Sequence, residues 1–423
     1  MQLIEKDKKT RTAIVCPIVK TENKFFSLDD LKNKEKEAEG LVVAMGQEAV
    51  FSVSVTLNKI TPRSFFGKGF IEKLKEDCVN EEIELLVVDY AISAVQQRNL
   101  EKELNLKVID RTAVILEIFG RRAQTKEGKL QVELAHLTYQ RGRLVRSWTH
   151  LERQRGGGGF LGGPGETQIE LDRRHIDNRI LRIKKELQKV LQTRSIQRGA
   201  RVKVPYPVVA LVGYTNAGKS TLFNKVTKAN VLAQDMLFAT LDPTMRKVSL
   251  AKGVDVIMSD TVGFISNLPH ELIMAFRATL EEVLLADVIL HVIDVSNPKY
   301  KEQQKDVCDV LHELGLTKVE FEDNYIEVFN KVDLLENDEK ALLLNKKINN
   351  QVIVSAVSGE GIDELLAKVL EKFNNKSEIK KEVLSMDEGK KLAYFYEKHQ
   401  VIERVDDVKN GKIYLTVKYN KNI

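Results

Sequence analysis

Residues 208–220 read Val-Val-Ala-Leu-Val-Gly-Tyr-Thr-Asn-Ala-Gly-Lys-Ser, an apolar run followed by the pattern Gly-x4-Gly-Lys-Ser. The apolar run has the length of a buried strand, and the residues after Ser220 favour a helix. A glycine-rich turn there lets backbone N–H groups curl around phosphate oxygens at the helix N-terminus. In this pattern Lys219 bridges the β- and γ-phosphates and the Ser220 hydroxyl binds Mg²⁺. The stretch therefore predicts a P-loop rather than a chance glycine turn.

Strand-like and helix-like segments alternate beyond the P-loop. We predict strands at 207–212, 246–251, 254–259, 287–294, 325–330 and 352–355, and helices near 218–228, 271–285, 299–314 and 362–374. This alternation is typical of a doubly wound, mostly parallel α/β sheet, here spanning residues 204–375.

A second phosphate motif ends one of these strands. Asp260-Thr-Val-Gly263 has the pattern Asp-x-x-Gly, which alone more often marks a turn. After an apolar strand and downstream of a P-loop, Asp260 can hold Mg²⁺ through water, and the Gly263 N–H can reach the γ-phosphate. We therefore assign the motif to the nucleotide site.

Two further motifs indicate which base is bound. Asn330-Lys-Val-Asp333 follows a predicted strand, and the Asp333 carboxylate can accept hydrogen bonds from N1–H and the 2-amino group of guanine. Asn330 would face the other edge of the base, and the Lys331 stem would lie along its plane. The run Ser355-Ala-Val357 can present a backbone N–H to the guanine carbonyl. Adenine lacks this donor pair, so GTP is favoured over ATP.

The segment between the P-loop and Asp260 contains a candidate switch. In Phe238-Ala-Thr-Leu-Asp-Pro-Thr244, a threonine could complete the Mg²⁺ shell when a triphosphate is bound. Thr240 is our choice and Thr244 is the competitor. The segment could also be an ordinary loop.

The predicted catalytic residue is Lys219, and the predicted metal ligands are Ser220 and Thr240. The nucleotide-binding set comprises Gly213, Tyr214, Thr215, Asn216, Ala217, Gly218, Lys219, Ser220, Thr221, Phe238, Ala239, Thr240, Leu241, Asp242, Asp260, Thr261, Val262, Gly263, Asn330, Lys331, Val332, Asp333, Ser355, Ala356 and Val357.

The residue after Gly263 raises a question about hydrolysis. Many small GTPases have a glutamine there to orient water, but Phe264 cannot hydrogen-bond water. One hypothesis is that a partner surface orders the switch segments. A second is that Asn216 holds a K⁺ ion that compensates the charge on the β–γ bridge. Asn216 could equally do no more than stabilise the loop turn.

Residues 1–125 have the pattern of a small α/β domain. Strands are predicted at 12–19 and 83–89, and helices near 27–37, 68–78 and 93–105, which favours a mostly parallel sheet. A small domain with a helix near 387–398 and a strand at 412–418 is predicted for residues 376–423.

Residues 126–203 predict an antiparallel helical hairpin. Apolar residues recur at steps of four and three on both sides of the glycine-rich run 156–165, with Arg141 at the one place in the first series that lacks an apolar residue. They are Leu130, Leu134, Leu137, Leu144, Trp148 and Leu151, and then Ile176, Ile180, Ile183, Leu187 and Val190. The second helix is strongly basic, which suits RNA phosphates, although a solvated coiled-coil face would also fit.

Composition sets limits on compartment and class. The 423 residues are 43% hydrophobic and 30% charged, with a net charge of +5, which fits a globular protein of several domains. Cys16, Cys78 and Cys308 share no metal-ligand spacing, which suggests a reducing compartment. We find no signal peptide and no apolar run long enough to span a membrane. These features predict a cytoplasmic protein.

The chain resembles the HflX family within the Obg–HflX superfamily of P-loop GTPases. The resemblance rests on Phe238–Thr244 and Asp260–Phe264, and on stretches at 96–102, 108–112, 121–135 and 163–168. It implies a GTPase that uses Mg²⁺, binds the large ribosomal subunit and its RNA through the hairpin, and separates stalled ribosomes. We expect it to act as a monomer with GTP and GDP as ligands.

Two other functions remain open from sequence. One is a ribosome-assembly GTPase that leaves the subunits joined, and the other is a GTP-dependent scaffold for a protein partner. Binding that weakens steeply with salt would favour RNA over a protein partner.

Overall fold

The structure, a computed structural model, describes residues 9–20, 28–147, 168–201, 206–228, 237–238, 244–251, 254–266, 272, 283–317, 323–345, 350–398, 400–408 and 410–420. It contains two compact units, one built mainly from residues 1–187 and the other mainly from residues 188–423. The four-domain division with boundaries after residues 125, 203 and 375 stays a prediction.

The first unit contains a four-stranded parallel sheet. Its strands are β1 (Arg11–Val19), β2 (Glu48–Leu57), β3 (Leu85–Val88) and β4 (Lys107–Asp110), in the order β2-β1-β3-β4. The helices are α1 (Leu28–Ala44), α2 (Lys68–Asn80), α3 (Ala94–Leu104) and α4 (Arg111–Arg122). The predicted parallel sheet and its named elements are confirmed, but β2, β4 and α4 were missed.

The helical hairpin is confirmed for its described part, α5 (Lys126–Ser147) and α6 (Gln168–Arg201). Leu130 of α5 packs with Ile183 and Leu187 of α6 in one buried cluster. Ion pairs between the helices join Glu133 to Arg179 and Arg141 to Asp177, each at 2.7 Å. From Glu133 to Arg141 the residue number along α5 rises, while that of the paired residue on α6 falls from Arg179 to Asp177. The two helices therefore run antiparallel. Trp148, Leu151 and the glycine-rich run 156–165 lie outside the described residues.

Helix α5 is tied to the parallel sheet of the first unit. Asp110, the last residue of β4, accepts a hydrogen bond from the Tyr139 hydroxyl at 2.8 Å and one from Arg143 at 2.9 Å. The Asp110 carboxylate is almost fully buried, so both contacts are shielded from water. The C-terminal half of α5 is therefore fixed to the sheet of its own unit.

The second unit contains a six-stranded sheet in the order β10-β9-β8-β5-β7-β6. Its strands are β5 (Val208–Gly213), β6 (Thr244–Ala251), β7 (Val254–Asp260), β8 (Val288–Asp294), β9 (Tyr325–Asn330) and β10 (Gln351–Ile353). Only the β6–β7 pair is antiparallel among these strands. The predicted doubly wound, mostly parallel α/β fold is confirmed.

The helices of this sheet are α7 (Lys219–Thr227), α8 (Tyr300–Glu313), α9 (Asn337–Asn345) and α10 (Ile362–Lys376). The predicted helix near 271–285 falls mostly outside the described residues. The sheet core is built from apolar residues of β5, β7, β8 and β9, against which Leu222 and Phe223 of α7 pack. This packing fixes α7 directly behind the P-loop.

Residues 377–420 form a three-stranded antiparallel sheet. Its strands are β11 (Ser377–Ser385), β12 (Gln400–Asp407) and β13 (Lys412–Asn420), in the order β11-β13-β12, and α11 (Gly389–Lys398) packs on one face. The predicted helix and final strand are confirmed. None of the described helices of the chain is long and apolar enough to cross a membrane.

Candidate nucleotide-binding site

The predicted motifs meet at one edge of the six-stranded sheet. Strands β5, β7 and β9 run in the same direction in the sheet and end at Gly213, Asp260 and Asn330. Ser355 follows β10, which is parallel to β9. Ligands of doubly wound sheets bind outside the carboxyl ends of the strands. The fold therefore positions all four motifs where a nucleotide can contact them together.

The two glycines of the P-loop adopt conformations that exclude other residues. Gly218 has φ 92°, and a Cβ there would clash with the Asn330 amide nitrogen. Gly213 has φ 151°, and a Cβ there would clash with the Val292 carbonyl. Asn216 between them also lies in the left-handed region, with φ 61°, and it is exposed. The loop thus turns tightly and leads directly into α7.

Lys219, the first residue of α7, folds back over this turn. Its ammonium donates to the carbonyls of Gly213 at 3.0 Å and Tyr214 at 2.7 Å. Burial lowers the pKa of Lys219 to about 8, and the nearby Asp260 carboxylate partly opposes that shift. Phosphate oxygens beside this ammonium would raise its pKa again, because they stabilise the charged form.

A pair of oxygens suited to Mg²⁺ lies next to Lys219. The Ser220 hydroxyl donates a 2.7 Å hydrogen bond to Oδ2 of Asp260. A hydroxyl and a carboxylate at this separation are the oxygen donors that Mg²⁺ prefers when it keeps several waters and phosphate ligands. The residues present therefore fit the predicted ion.

Of the two candidate threonines in the switch segment, only Thr244 lies within the described residues. Thr240 lies outside the described residues, as do Ala239, Leu241 and Asp242. Thr244 begins β6, where it pairs with Asp260. Phe238 belongs to the first unit, where its buried ring packs edge to face on Phe119 with centroids 4.7 Å apart. The choice of Thr240 over Thr244 stays a prediction.

The base-recognition motif is held by contacts that the sequence did not reveal. Asn330 is buried, and its amide bonds to the backbone of Ala217 and Ala356. The Lys331 ammonium forms an ion pair at 2.8 Å with Asp294, the last residue of β8. This ion pair holds the aliphatic stem of Lys331 across the carboxyl edge of the sheet. Asp333 is exposed in a 3₁₀ turn over 332–334. Its carboxylate is thus open to a ligand.

Two of the three backbone N–H groups in the motif Ser355–Val357 donate hydrogen bonds within the protein. The Ser355 N–H donates to the Glu360 carbonyl, and the Ala356 N–H donates to Oδ1 of Asn330, both at 3.0 Å. Val357 is 72% exposed. Its N–H is therefore the best-placed of the three for the guanine carbonyl.

The segment after Asp260 is bonded to the P-loop. The Phe264 carbonyl accepts from the Thr215 N–H at 2.6 Å, and the Phe264 N–H donates to the Gly213 carbonyl at 3.0 Å. The Tyr214 hydroxyl accepts from the Ser266 N–H at 2.9 Å. The Phe264 ring is buried. Sequence reasoning missed the contacts of Ser266 and Asp294, because neither residue belongs to a recognised motif.

Comparison with known families covers most of the chain. Models described as "GTP-binding GTPase N-terminal" and "GTP-binding GTPase Middle Region" match residues 32–120 and 122–201. Residues 208–331 match "50S ribosome-binding GTPase", and residues 341–422 match "HflX C-terminal domain".

Two curated relatives, described next, agree with these matches. A "GTPase HflX" from Magnetococcus marinus is 48% identical over 89% of this chain and 85% of its own length. The "GTPase HflX" of Escherichia coli is 42% identical over 93% of this chain and 91% of its own. A crystal structure of a GTP-binding protein from Sulfolobus solfataricus in complex with GDP is 22% identical. It covers 86% of this chain and 98% of its own, with a TM-score of 0.45.

Proposed function

The chain belongs to the HflX family of GTPases, and on that premise we propose that it uses GTP to bind the large ribosomal subunit and separate stalled ribosomes. Guanine nucleotide binding and GTP hydrolysis follow from the family itself. The ribosomal target is supported by the matching domain model, whose description is "50S ribosome-binding GTPase". With a ribosomal target, we also propose a cytoplasmic location.

We assign the phosphate contacts to the P-loop and its neighbours. Lys219 binds the β- and γ-phosphates, and the backbone N–H groups of the loop surround them. Ser220 and Asp260 hold Mg²⁺, the latter through water, and the ion neutralises phosphate charge when it is bound. The Gly263 N–H binds the γ-phosphate. Asn216, exposed in the left-handed region, is the candidate ligand for K⁺.

We assign recognition of the guanine base to the motifs Asn330–Asp333 and Ser355–Val357. The exposed Asp333 carboxylate accepts hydrogen bonds from N1–H and the 2-amino group of guanine, and the Val357 N–H binds the carbonyl. A ligand that lacks these donors leaves the carboxylate unpaired, which makes its binding unfavourable.

The observation that carries the ribosomal role is the basic surface of α6. Among the described side chains, Arg179 is paired with Glu133 and Arg173 lies near Asp177. By contrast, the "basic face" of Arg182, Lys184, Lys185 and Lys189 is exposed and has no ion pair within the described residues. Four cations on two turns of one helix are suited to bind RNA phosphates. Contacts of this kind do not depend on the base sequence.

Co-sedimentation with purified large ribosomal subunits tests the proposal. We expect binding with a GTP analogue, weaker binding with GDP, and a steep loss of binding between 50 and 200 mM salt, on the order of 10²-fold for four phosphate contacts. Light scattering of joined ribosomes then distinguishes splitting from assembly. A falling signal on addition of protein and GTP supports splitting. Binding without any fall in scattering would support the assembly role instead.

A further inference from the structure

Residues 261–266, which we call the Gly263 segment, are bonded to the P-loop beyond the end of β7. The Phe264 N–H donates to the Gly213 carbonyl at 3.0 Å, and the Phe264 carbonyl accepts from the Thr215 N–H at 2.6 Å. These two bonds make a short parallel bridge between the segment and the P-loop. The pairing between β5 and β7 therefore resumes after both strands have ended.

A tyrosine side chain of the P-loop adds a third tie to the Gly263 segment. The Tyr214 hydroxyl accepts a hydrogen bond from the Ser266 N–H at 2.9 Å and donates one to the Ser266 hydroxyl at 3.1 Å. Tyr214 is only 6% exposed, so water competes little for these bonds. The P-loop motif does not require a tyrosine here, since it specifies only the glycines, Lys219 and Ser220. The nucleotide motif alone therefore does not account for this contact.

The tied segment carries the glycine that we assign to the γ-phosphate. A Cβ placed on Gly263 would lie 3.0 Å from the ammonium nitrogen of Lys219, so the Gly263 backbone is next to the other group with that assignment. On one side of Gly263 lies Asp260, the last residue of β7, and on the other lies Ser266, which Tyr214 holds. Attachment on both sides keeps the Gly263 backbone beside the Lys219 ammonium.

Such an attachment affects GTP and GDP differently. The two nucleotides differ at the γ-phosphate, so only GTP can accept a hydrogen bond from the Gly263 N–H. A backbone donor that is already in place saves the entropy cost of ordering it when the ligand binds. If the segment is free to leave, that cost falls only on the nucleotide that needs the donor. A tie that positions Gly263 therefore favours GTP over GDP.

We propose that Tyr214 is a positioning residue whose hydroxyl holds the Gly263 segment where the Gly263 N–H meets the γ-phosphate, and that it thereby raises the preference of the protein for GTP over GDP. The Tyr214 side chain acts through Ser266 and the segment rather than on the phosphates themselves. This role rests on the proposed assignment of Lys219 and Gly263 to the γ-phosphate. A purely structural tyrosine would instead support the binding of both nucleotides equally.

Tyr214→Phe separates these two roles, because it removes the hydroxyl and keeps the ring and the backbone. We expect the variant to bind a non-hydrolysable GTP analogue about three- to tenfold more weakly than wild type, the range for loss of one hydrogen bond. Its affinity for GDP should stay within about twofold of wild type, since GDP does not reach Gly263. Calorimetric titration of the full chain with each ligand in Mg²⁺ buffer measures the ratio of the two affinities.

The matched control is another tyrosine of the same unit. The Tyr206 hydroxyl accepts a hydrogen bond from Lys247 at 3.1 Å at an exposed position of the second unit. Tyr206→Phe makes the same chemical change and should leave the ratio of the two affinities at the wild-type value.

Amide hydrogen exchange gives an independent readout of the tie itself. In Tyr214→Phe without nucleotide, the Ser266 N–H loses its acceptor and should exchange at least about threefold faster than in wild type. The GTP analogue should slow exchange of the Gly263 segment in the variant, whereas GDP should slow it less. Ser266→Ala keeps the N–H that Tyr214 binds, so its effect on exchange and on the affinity ratio should be smaller than that of Tyr214→Phe.

An unchanged affinity ratio in Tyr214→Phe would overturn the proposal, whether both affinities fell together or neither changed. Wild-type exchange at Ser266 in the variant would also overturn it, because the hydroxyl would then not hold the segment. These results differ from failure of the nucleotide site as a whole. In that case the wild-type protein itself would bind neither GTP nor GDP, and the role of Tyr214 would fall with the site.

Discussion

The side-chain amide of Asn330 donates a 2.8 Å hydrogen bond to the backbone carbonyl of Ala217 in the P-loop. Its oxygen accepts from the Ala356 N–H at 3.0 Å. One buried side chain thus connects the phosphate motif, the base motif and the last guanine motif. The close approach is possible because Gly218 has no side chain to meet the amide.

Asn330→Ala should therefore weaken GTP and GDP binding alike, because it releases the P-loop from the base motif rather than removing a contact to one phosphate. It should also lower the free energy of unfolding by about 1–3 kcal/mol, since the Ala217 carbonyl and Ala356 N–H lose a buried partner. Urea unfolding and nucleotide titration measure the two effects. Asn99→Ala is the control, because its amide makes an exposed bond to the Arg63 carbonyl.

Asp333→Asn should change which base is bound without unfolding the site. An asparagine side chain can donate to a carbonyl at the position where guanine has its 2-amino group, so affinity should move from guanine towards xanthine nucleotides. Competition between GTP and xanthosine triphosphate measures the switch. If the variant kept full preference for GTP, Asp333 would not be the base contact.

Nucleotide binding should take up protons at alkaline pH. Burial lowers the pKa of Lys219 to about 8, so part of the protein carries a neutral amine at pH 8.5. Bound phosphates favour the ammonium and raise this pKa, so binding draws a proton from solution. Affinity should be flat below about pH 7.5 and fall as pH rises above 8. Affinity falls with rising pH because, above pH 8, Lys219 of the free protein loses its proton while Lys219 of the nucleotide complex keeps it.

Calorimetry of GTP binding at pH 8.5 in buffers of different ionisation enthalpy measures this uptake. We expect roughly three-quarters of a proton per nucleotide from a pKa near 8, and almost none at pH 6.5. Equal proton counts at the two pH values would contradict the assignment of Lys219 to the phosphates.

Much of this fold could be predicted from apolar runs that end in recognisable turns. The strands of the six-stranded sheet and the P-loop helix follow from such runs and were placed within a few residues. Strands β11 and β12 were missed, because Ser377–Ser385 and Gln400–Asp407 are rich in charged residues that face water in a small sheet. Strand β4 has only four residues, too few to show a clear alternation of apolar and polar residues.

The candidate site was predictable only where a residue type and a spacing define a motif. The tie from Asn330 to Ala217 and Ala356 joins residues far apart in sequence, and the pair of Lys331 with Asp294 depends on which strands are neighbours. Nor does a sequence show that the hydroxyl of Thr215 is buried without a partner among the residues that the structure describes. These features arise from tertiary packing, which a pattern along the chain does not record.

Reversing charges on the basic face of α6 should impair binding to the large subunit and spare GTP binding. Lys184→Glu with Lys185→Glu changes two exposed cations, and each lost phosphate contact should also make binding less sensitive to salt. Lys73→Glu with Lys75→Glu on α2 is the matched control, with the same charge change at exposed positions of another helix. Equal loss in both double variants would point to general electrostatics instead of this face.

The most direct test of the account is the rate of GTP hydrolysis in potassium buffer with and without purified large ribosomal subunits. Because Phe264 cannot orient water, we expect slow hydrolysis by the protein alone and a rise of roughly tenfold or more with subunits. Replacement of potassium by sodium in the same assay tests the role of Asn216, and equal rates would remove the K⁺ proposal. An unchanged rate on addition of subunits would contradict the claim that the ribosome activates this GTPase.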